Sequence, residues 1–512
     1  MKKYILFLFM ALMPVFAFGQ TSDASASSAV PAQSLDEVFS AIKQGGTALP
    51  DADVMTRVRY LPQNDQAWYT RWKMLEGAKE TIDCTYFIVD KDIFGQAFLG
   101  FLAKKAREGV KIRLMIDGRI YRSGYMKGMP DLFQELASFP NVQIKVFNSI
   151  TKSILNVFSS FEGLFANNHK KIIIIDGKIC ITGGRNIGPD YFGQVGEYGC
   201  IYRDTDILME SNNACLRLKE AFECEWKVST DSVVKAETVN KDNNRDRIDI
   251  AYMLMDRYMK GQGIIAPESV AKWSAPQLKI LDELNTDISS YKGITEYSNF
   301  QLFTDDAKVP VKIVDKNSAI GDRNDIGPVL LKLVDAARSE IIIQNPYVVL
   351  SPEAWAGLKK ASLRGVKIIL HSNSGASTDS LFPQAFLNDD WHKMLADMPT
   401  LRILVAPSPK QRLHSKTFVV DDHITIVGSY NMDPLSQNIN AEAVAVVNDA
   451  AFAVETHKQI EKDIANGVVE YKVSVDENGL IHEIYGPKDH LDKKTMFKIK
   501  LFGKLGVIRP VI

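Results

Sequence analysis

The 512-residue chain reads as an α/β protein built from two similar lobes. Two observations predict this. Strand and helix signals alternate in the order of parallel βαβ units, which need a helical crossover between neighbouring strands. The same order, partly in the same letters, then returns in the second half of the chain.

The elements follow in chain order. The stretch MKKYILFLFMALMPVFAFGQ places Lys2 and Lys3 before an apolar run from Tyr4 to Phe18, with small residues at its end. This pattern predicts a secretory signal peptide over 1–19 and a mature chain starting near Gln20. The run is short of the ~20 apolar residues of a membrane span and contains Pro14. No cysteine follows it, so no lipoprotein attachment is expected. Residues 20–50, small and polar at first (TSDASASSAVPAQS), are expected to form a flexible linker.

A first lobe is expected over 51–229. Arg71 to Lys79 fits a helix, and TIDCTYFIVD (81–90) fits a strand. FGQAFLGFLAKKAREG is an amphipathic helix stopped by Gly109, and VKIRLMID is the next strand. Residues 230–305 lack strand rhythm and contain RDRIDIAYMLMDRYMK, so a partly helical insertion between the lobes is expected. A second lobe follows over 306–470. Its VLLKLVDAARSEIIIQNPYVVL (329–350) repeats the first helix and strand, and EAWAGLKKASLRGVKIIL (353–370) repeats AFLGFLAKKAREGVKIRL (97–114). Residues 471–512 form a basic and apolar C-terminal tail.

Composition bounds the function. With 46% hydrophobic and 24% charged residues, 32 Gly and 20 Pro, the chain is an ordinary globular protein. Its formal net charge of -1 weighs against a protein that grips a nucleic-acid backbone. Of the five cysteines, Cys84 and Cys180 lie in apolar strand-like runs and read as buried thiols. No CxxC, HExxH or Cys/His cluster occurs, so no metal site and no cofactor are expected.

The residues that promise chemistry are duplicated as well. NNHKKIIIIDGKICITGGRN (167–186) is matched by RLHSKTFVVDDHITIVGSYN (412–431). His169, Lys171, Asp176, Gly183, Gly184 and Asn186 correspond to His414, Lys416, Asp421, Gly428, Ser429 and Asn431. At ordinary residue usage two chance H-x-K-x4-D matches have a probability of order 10⁻³. Alternation along an extended chain turns His169 and Lys171 the same way, and likewise His414 and Lys416. Asp176 has the wrong parity for that face and opens an Asp-Gly turn, so Asp176 and Asp421 are assigned structural roles.

Two histidines suit attack on a phosphodiester. One attacks phosphorus and the other serves as general acid and then general base. Two lysines and two asparagine amides can hold the non-bridging oxygens and offset charge as it builds, without a metal. An attacking imidazole also needs its second nitrogen held by an acceptor. Asp204 in YRDTDILME and Glu442 in NINAEAVAVV are the candidate acceptors, each expected beside its own lobe's histidine.

These motifs resemble those of the phospholipase D superfamily, and more narrowly of its bacterial cardiolipin synthase-like members. The likeness covers about 55–235 and 310–470, with CTYFIVDKDIFG and FECEWK as weaker supports. It implies duplicated α/β sandwich lobes related by a pseudo-twofold axis, with the active site at their interface. It implies a phosphohistidine intermediate with His169 as nucleophile and His414 as acid/base. It further implies that Lys171, Lys416, Asn186 and Asn431 bind the phosphoryl group and that Asp204 and Glu442 orient the histidines. One departure stands out: where the family often has Asp-x-Arg-Ser, this chain has Asp433-Pro434-Leu435-Ser436.

The substrate class rests on two further stretches. SILNVFSSFEGLF (153–165) spaces Leu155, Phe158, Phe161, Leu164 and Phe165 as a helix that could face lipid. KKTMFKIKLFGKLGVIRPVI at the C-terminus mixes lysines with Phe497, Leu501, Phe502 and Ile508, a composition that suits an anionic membrane surface. The expected function is a phosphatidyl-transferring or hydrolysing enzyme, exported and periplasmic or secreted, peripheral on a membrane. Its partner is a phospholipid substrate, with nucleic acid disfavoured and no obligate protein partner indicated. An exported nuclease of the same chemistry is the alternative.

Overall fold

A computed structural model describes residues 33–43, 54–118, 129–148, 166–197, 199–229, 231–233, 239, 241–318, 325–504, 506 and 509. The expected signal peptide (1–19) and the 153–165 stretch lie outside the described residues, as does Ile508.

Helix α1 (Leu35–Ala41) comes first. The first lobe then opens with β1 (Met55–Leu61), α2 (Asn64–Gly77), β2 (Thr81–Tyr86), α3 (Ile93–Arg107), β3 (Lys111–Asp117), α4 (Met129–Ala137) and β4 (Val142–Phe147). It is completed by β5 (Ile172–Ile175), β6 (Ile179–Gly183), α5 (Pro189–Phe192), β7 (Ile201–Arg203), β8 (Asp206–Glu210), α6 (Asn212–Val228) and β9 (Asp231–Ser232). Helices α7 (Asn244–Met259) and α8 (Ala275–Ile288) follow. The second lobe opens with β10 (Lys308–Lys316), α9 (Ile326–Ala336), β11 (Glu340–Gln344), α10 (Pro352–Leu363), β12 (Lys367–Asn373), α11 (Leu381–Asp397) and β13 (Leu401–Ala406). Then come β14 (Gln411–Leu413), β15 (Thr417–Val420), β16 (Ile424–Gly428), β17 (Glu442–Asn448), α12 (Ala450–Ala465), β18 (Val469–Val475), β19 (Ile481–Tyr485), α13 (Pro487–His490) and α14 (Lys493–Gly503).

The two lobes repeat strand for strand. The first runs β9-β4-β3-β2-β5-β6-β8-β1 and the second β18-β13-β12-β11-β15-β16-β17-β10. Within each, the βαβ crossovers make a parallel run, β2-β3-β4 and β11-β12-β13. The hairpins after them are antiparallel. Strands β1 and β10 pair antiparallel, from Met55↔Pro310 to Arg57↔Lys308, and so join the sheets. Each lobe has its own apolar core, and a third core unites them, with Ile172, Ile174 and Ile207 from one side and Val311, Val427 and Ala445 from the other.

Three expectations change. Residues 20–50 are not linker throughout. Ser34 and Glu37 form a reciprocal capping box that starts α1, and Leu35, Val38 and Phe39 bury themselves in the second lobe's core. Burying such side chains contributes about 1.5–3 kcal/mol each, enough to fix a short helix. The partly helical 230–305 insertion does more than link the lobes. Ile248, Ala251 and Leu254 of α7 and Leu281 and Leu284 of α8 join the first lobe's core. Helix α7 approaches α3 so closely that a Cβ on Gly100 would collide with the Ile248 carbonyl oxygen. Nor is 471–512 a free tail: β18 extends the second sheet through β13, and Phe502 of α14 packs on Phe382 of α11 at 4.3 Å. No helix among the described residues is long and apolar enough to cross a membrane.

Candidate active site

Strand β5 is apolar because it lies inside the sheet between β2 and β6, with all four isoleucines buried. The cationic residues cluster at its start because the chain there leaves the sheet and enters the contact between lobes. His169 N–H donates to the Ala441 carbonyl at 3.0 Å, and Ala441 N–H to the Asn167 carbonyl at 2.9 Å. In the other half, β14 pairs parallel with β7, and His414 N–H donates to the Arg203 carbonyl at 2.8 Å.

This cross-lobe pairing corrects one expectation. Each acid was expected beside its own histidine, but each lies beside the other lobe's. His169 Nδ1 is 3.0 and 3.1 Å from the carboxylate oxygens of Glu442, and His414 Nδ1 is 2.6 Å from Asp204 Oδ2. The physical reason is register. Ala441 precedes Glu442 and pairs with the strand end before His169, while Arg203 precedes Asp204 and pairs with the strand end before His414. Both histidines therefore turn Nε2 away from their carboxylates.

The two acids are braced by different neighbours. Glu442 accepts from the hydroxyl of Ser429 and from that of Ser436 at 2.8 Å. Asp204 Oδ1 accepts from Thr205 N–H at 2.8 Å, and a Cβ on Gly184 would run into that oxygen. Ser436 belongs to the stretch that departs from the family pattern, and its contact with Glu442 does not involve the missing arginine. Sequence reasoning did not single it out. The available signal was that Ser436 keeps the serine of the Asp-x-Arg-Ser pattern although the arginine is replaced by Leu435.

The remaining site candidates divide into three sets. Lys171 Nζ donates to the His169 carbonyl at 2.7 Å, and Lys416 Nζ to the His414 carbonyl, 3.0 Å from Nδ1. Both lysines are buried. Asn186 is held by its surroundings, its Oδ1 accepting from Ile88 N–H at 3.1 Å and its amide donating to Tyr191 at 2.8 Å. Asn431 Oδ1 is buried with no hydrogen-bond partner among the described residues. Asp176 and Asp421 lie at the far ends of their strands in turns of positive φ, 52° and 53°. Asp176 accepts from the backbone N–H groups of Lys79, Glu80 and Thr81, and Asp421 from those of Arg338, Ser339 and Glu340. Gly183 and Gly428 admit neighbours that a side chain would displace, the Asp206 carboxylate at the first and the Ala443 carbonyl at the second.

Burial shapes the charges. It pulls the His169 imidazole down to about 4 against the pull of Glu442, so the ring is neutral at neutral pH. It lowers His414 too, with Lys416 adding to the effect. The ammonium of Lys171 falls to about 7 and that of Lys416 to about 8, both chiefly through burial. Burial opposes ionisation of Glu442 and Asp204, but the histidine and lysine facing each carboxylate outweigh it and hold both below their ordinary range. Each lysine lies within electrostatic reach of both carboxylates, so the two half-sites meet at the contact between the lobes.

A family model described as "Cardiolipin synthase, PLD-like domain" matches residues 72–222 and 330–464, one segment in each lobe. The chain belongs to this family of the phospholipase D superfamily. It is thereby an enzyme of the phosphodiesterase and phosphatidyltransferase class. Cardiolipin synthase C of Escherichia coli (strain K12) is 24% identical over 475 residues, covering 88% of this chain and 94% of that protein. Cardiolipin synthase 1 of Bacillus anthracis is 23% identical over 421 residues, covering 81% and 67%. Among solved structures, phosphatidylserine synthase of Haemophilus influenzae Rd KW20 superposes with a TM-score of 0.58 at 11% identity over 91% of this chain and 97% of that one, a likeness of fold.

Proposed function

We propose that the protein transfers or hydrolyses the phosphatidyl group of a phospholipid, in the manner of a cardiolipin synthase, through a phosphohistidine on His169. The supporting observation is the pair of cross-lobe histidine–carboxylate contacts beside two buried lysines. In the first step the Nε2 lone pair of neutral His169 forms the N–P bond. The P–O bond to the headgroup breaks, and His414, entering the step as the imidazolium paired with Asp204, gives its Nε2 proton to the departing alkoxide and is left neutral. In the second step an alcohol or water surrenders its proton to His414, its oxygen attacks phosphorus, and the N–P bond breaks. Glu442 and Asp204 each stabilise the positive charge that gathers on a ring. Lys171 and Lys416 screen the phosphate, so the scheme needs no metal ion.

The membrane reading rests on α14. Phe497 and Leu501, one helical turn apart, are 68% and 52% exposed among exposed Lys493, Lys494, Lys498 and Lys500. That face suits an anionic bilayer surface. Export through residues 1–19 to a periplasmic or secreted location completes the proposal.

The test is to incubate purified protein with labelled phosphatidylglycerol and, separately, with single-stranded DNA. Conversion of the lipid is expected, and conversion of DNA alone would overturn the reading in favour of a nuclease. Lipid mass spectrometry separates a transferred product from phosphatidic acid. For the membrane face, F497D/L501D should release the protein from anionic vesicles in co-sedimentation. N-terminal sequencing of exported protein should start near Gln20.

A further inference from the structure

The surroundings of the two histidines are chemically unlike. His169 has Phe87 edge-on at 5.3 Å, and the same ring faces Lys171 Nζ at 5.4 Å. His414 is ringed by tyrosines: Tyr202 at 5.0 Å, Tyr191 at 5.6 Å and Tyr347 at 6.4 Å between ring centroids. Two of these phenols converge on one carboxylate. Tyr347 donates to Asp379 Oδ1 at 2.6 Å, and Tyr202 to Asp379 Oδ2 at 3.2 Å. Asp379 is exposed, on the loop between β12 and α11, whereas Tyr202 is buried. The group thus spans from solvent to the ring of His414.

Among the described residues the first lobe does not repeat this group. The bridges Val89↔Ile187 and Val348↔Met432 are equivalent, which sets Ile88 where the second lobe has Tyr347. Among the described residues this tyrosine–carboxylate group therefore stands beside His414 only, the histidine that handles the headgroup oxygen in the mechanism above.

We infer that Asp379, Tyr202 and Tyr347 form a headgroup subsite that binds the outer end of a short alcohol carrying hydrogen-bond donors, hydroxyl or ammonium. Both phenol protons point at the carboxylate, and the Tyr202 oxygen already accepts from the Arg412 side chain, so the lone pairs left over on Tyr347 and Asp379 can only accept. An ester whose outer end is apolar leaves those acceptors unpaired, at a cost that sites built to bind a hydroxyl turn into strong discrimination. The tyrosine faces around an ammonium add cation–π attraction. This rests on the phospholipid reading, and it concerns both the group expelled in the first step and the alcohol admitted in the second.

The test uses the full chain with three lipids in matched mixed micelles: phosphatidylglycerol, phosphatidylethanolamine and phosphatidylethanol, the last without a donor. Asp379→Asn and Tyr347→Phe are expected to lower kcat/KM on a donor-bearing lipid at least about tenfold more than on phosphatidylethanol. Most of the loss should appear in KM. A selective loss on phosphatidylglycerol alone identifies hydroxyl recognition, and one on phosphatidylethanolamine alone identifies ammonium recognition. Equal losses on all three lipids, or none, overturn the subsite while leaving the catalytic reading in place. Failure of the unaltered protein to turn over any of the three removes the phospholipid reading, and the subsite with it.

Discussion

Glu442 and Asp204 hold opposite histidines, but they reach them by different means. Glu442 is the longer acid, and two serine hydroxyls brace it, Ser429 on Oε2 and Ser436 on Oε1, the same oxygens that face His169. Asp204 is one methylene shorter, and its carboxylate presses against the bare Cα of Gly184, where the other half has Ser429. Acid and neighbour are thus matched in size within each half: long acid with serine, short acid with glycine. The duplicated positions are free to differ so long as each pair changes together. A histidine is positioned here by a fitted pair of residues, not by a carboxylate alone.

The largest test of this comparison removes the rings themselves. His169→Ala and His414→Ala should each lower turnover at least about 10⁴-fold, since groups acting as a unit fail together. The two variants differ in what they trap. Rapid quenching and peptide mass spectrometry should find a phosphatidyl adduct on His169 in the His414→Ala protein, and an adduct on His414 in the His169→Ala protein would reverse the roles. Next come the acids, where Asp204→Asn and Glu442→Gln should each cost about 10²–10⁴ in kcat by losing the correct tautomer.

The matched pairs are tested by smaller changes. Gly184→Ala forces a methyl against Asp204 and should cost about 10²-fold in kcat, because a displaced carboxylate misplaces the His414 ring. Ser429→Ala and Ser436→Ala each remove one hydrogen bond and should cost about tenfold. A larger loss at the serines than at the glycine would break the size-matching account.

The pH profile sharpens the contrast between rings and lysines. In the free enzyme His169 stays deprotonated down to about pH 4, so kcat/KM should hold on the acid side until near there. Lys171 and Lys416 are depressed to about 7 and about 8, and their charge disappears as pH rises through those values. The first alkaline fall in kcat/KM should come below the ordinary histidine range, where His414 loses the Nε2 proton it must give, and a second limb should follow between about pH 7 and 8 as the lysines lose their charge. Lys171→Arg should move that limb upward, and an unchanged limb would assign it to another group. Smallest of all, Asp176→Ala and Asp421→Ala should each lower stability by about 1–3 kcal/mol in urea melts. Turnover at saturating substrate should persist, since neither carboxylate touches a histidine.

Local pattern made much of this legible. The βαβ order, the duplication, both H-x-K stretches and the wrong parity of Asp176 and Asp421 are all written in nearest-neighbour spacing. The exchange of acids between lobes is not, because it depends on which strand end meets which across a contact between residues far apart in the chain. The tyrosines and Asp379 escaped for the same reason: Tyr202, Tyr347 and Asp379 come from separate segments and form no motif together. Helix α1 is a different case. Ser34 and Glu37 have capping-box spacing, followed by Val38, Phe39 and Ile42 at helical intervals, but the polar stretch before them drew the boundary too late. The C-terminal residues misled through composition, since lysine-rich α14 hides one buried side, at Ile499, within an otherwise exposed helix.

The exchanged carboxylates also bear on how such a chain can drift. Two copies of a working part normally give insurance, since one can decay while the other carries on. Here a lesion in either copy disarms the ring in its twin, so doubling the ancestral unit brought no spare.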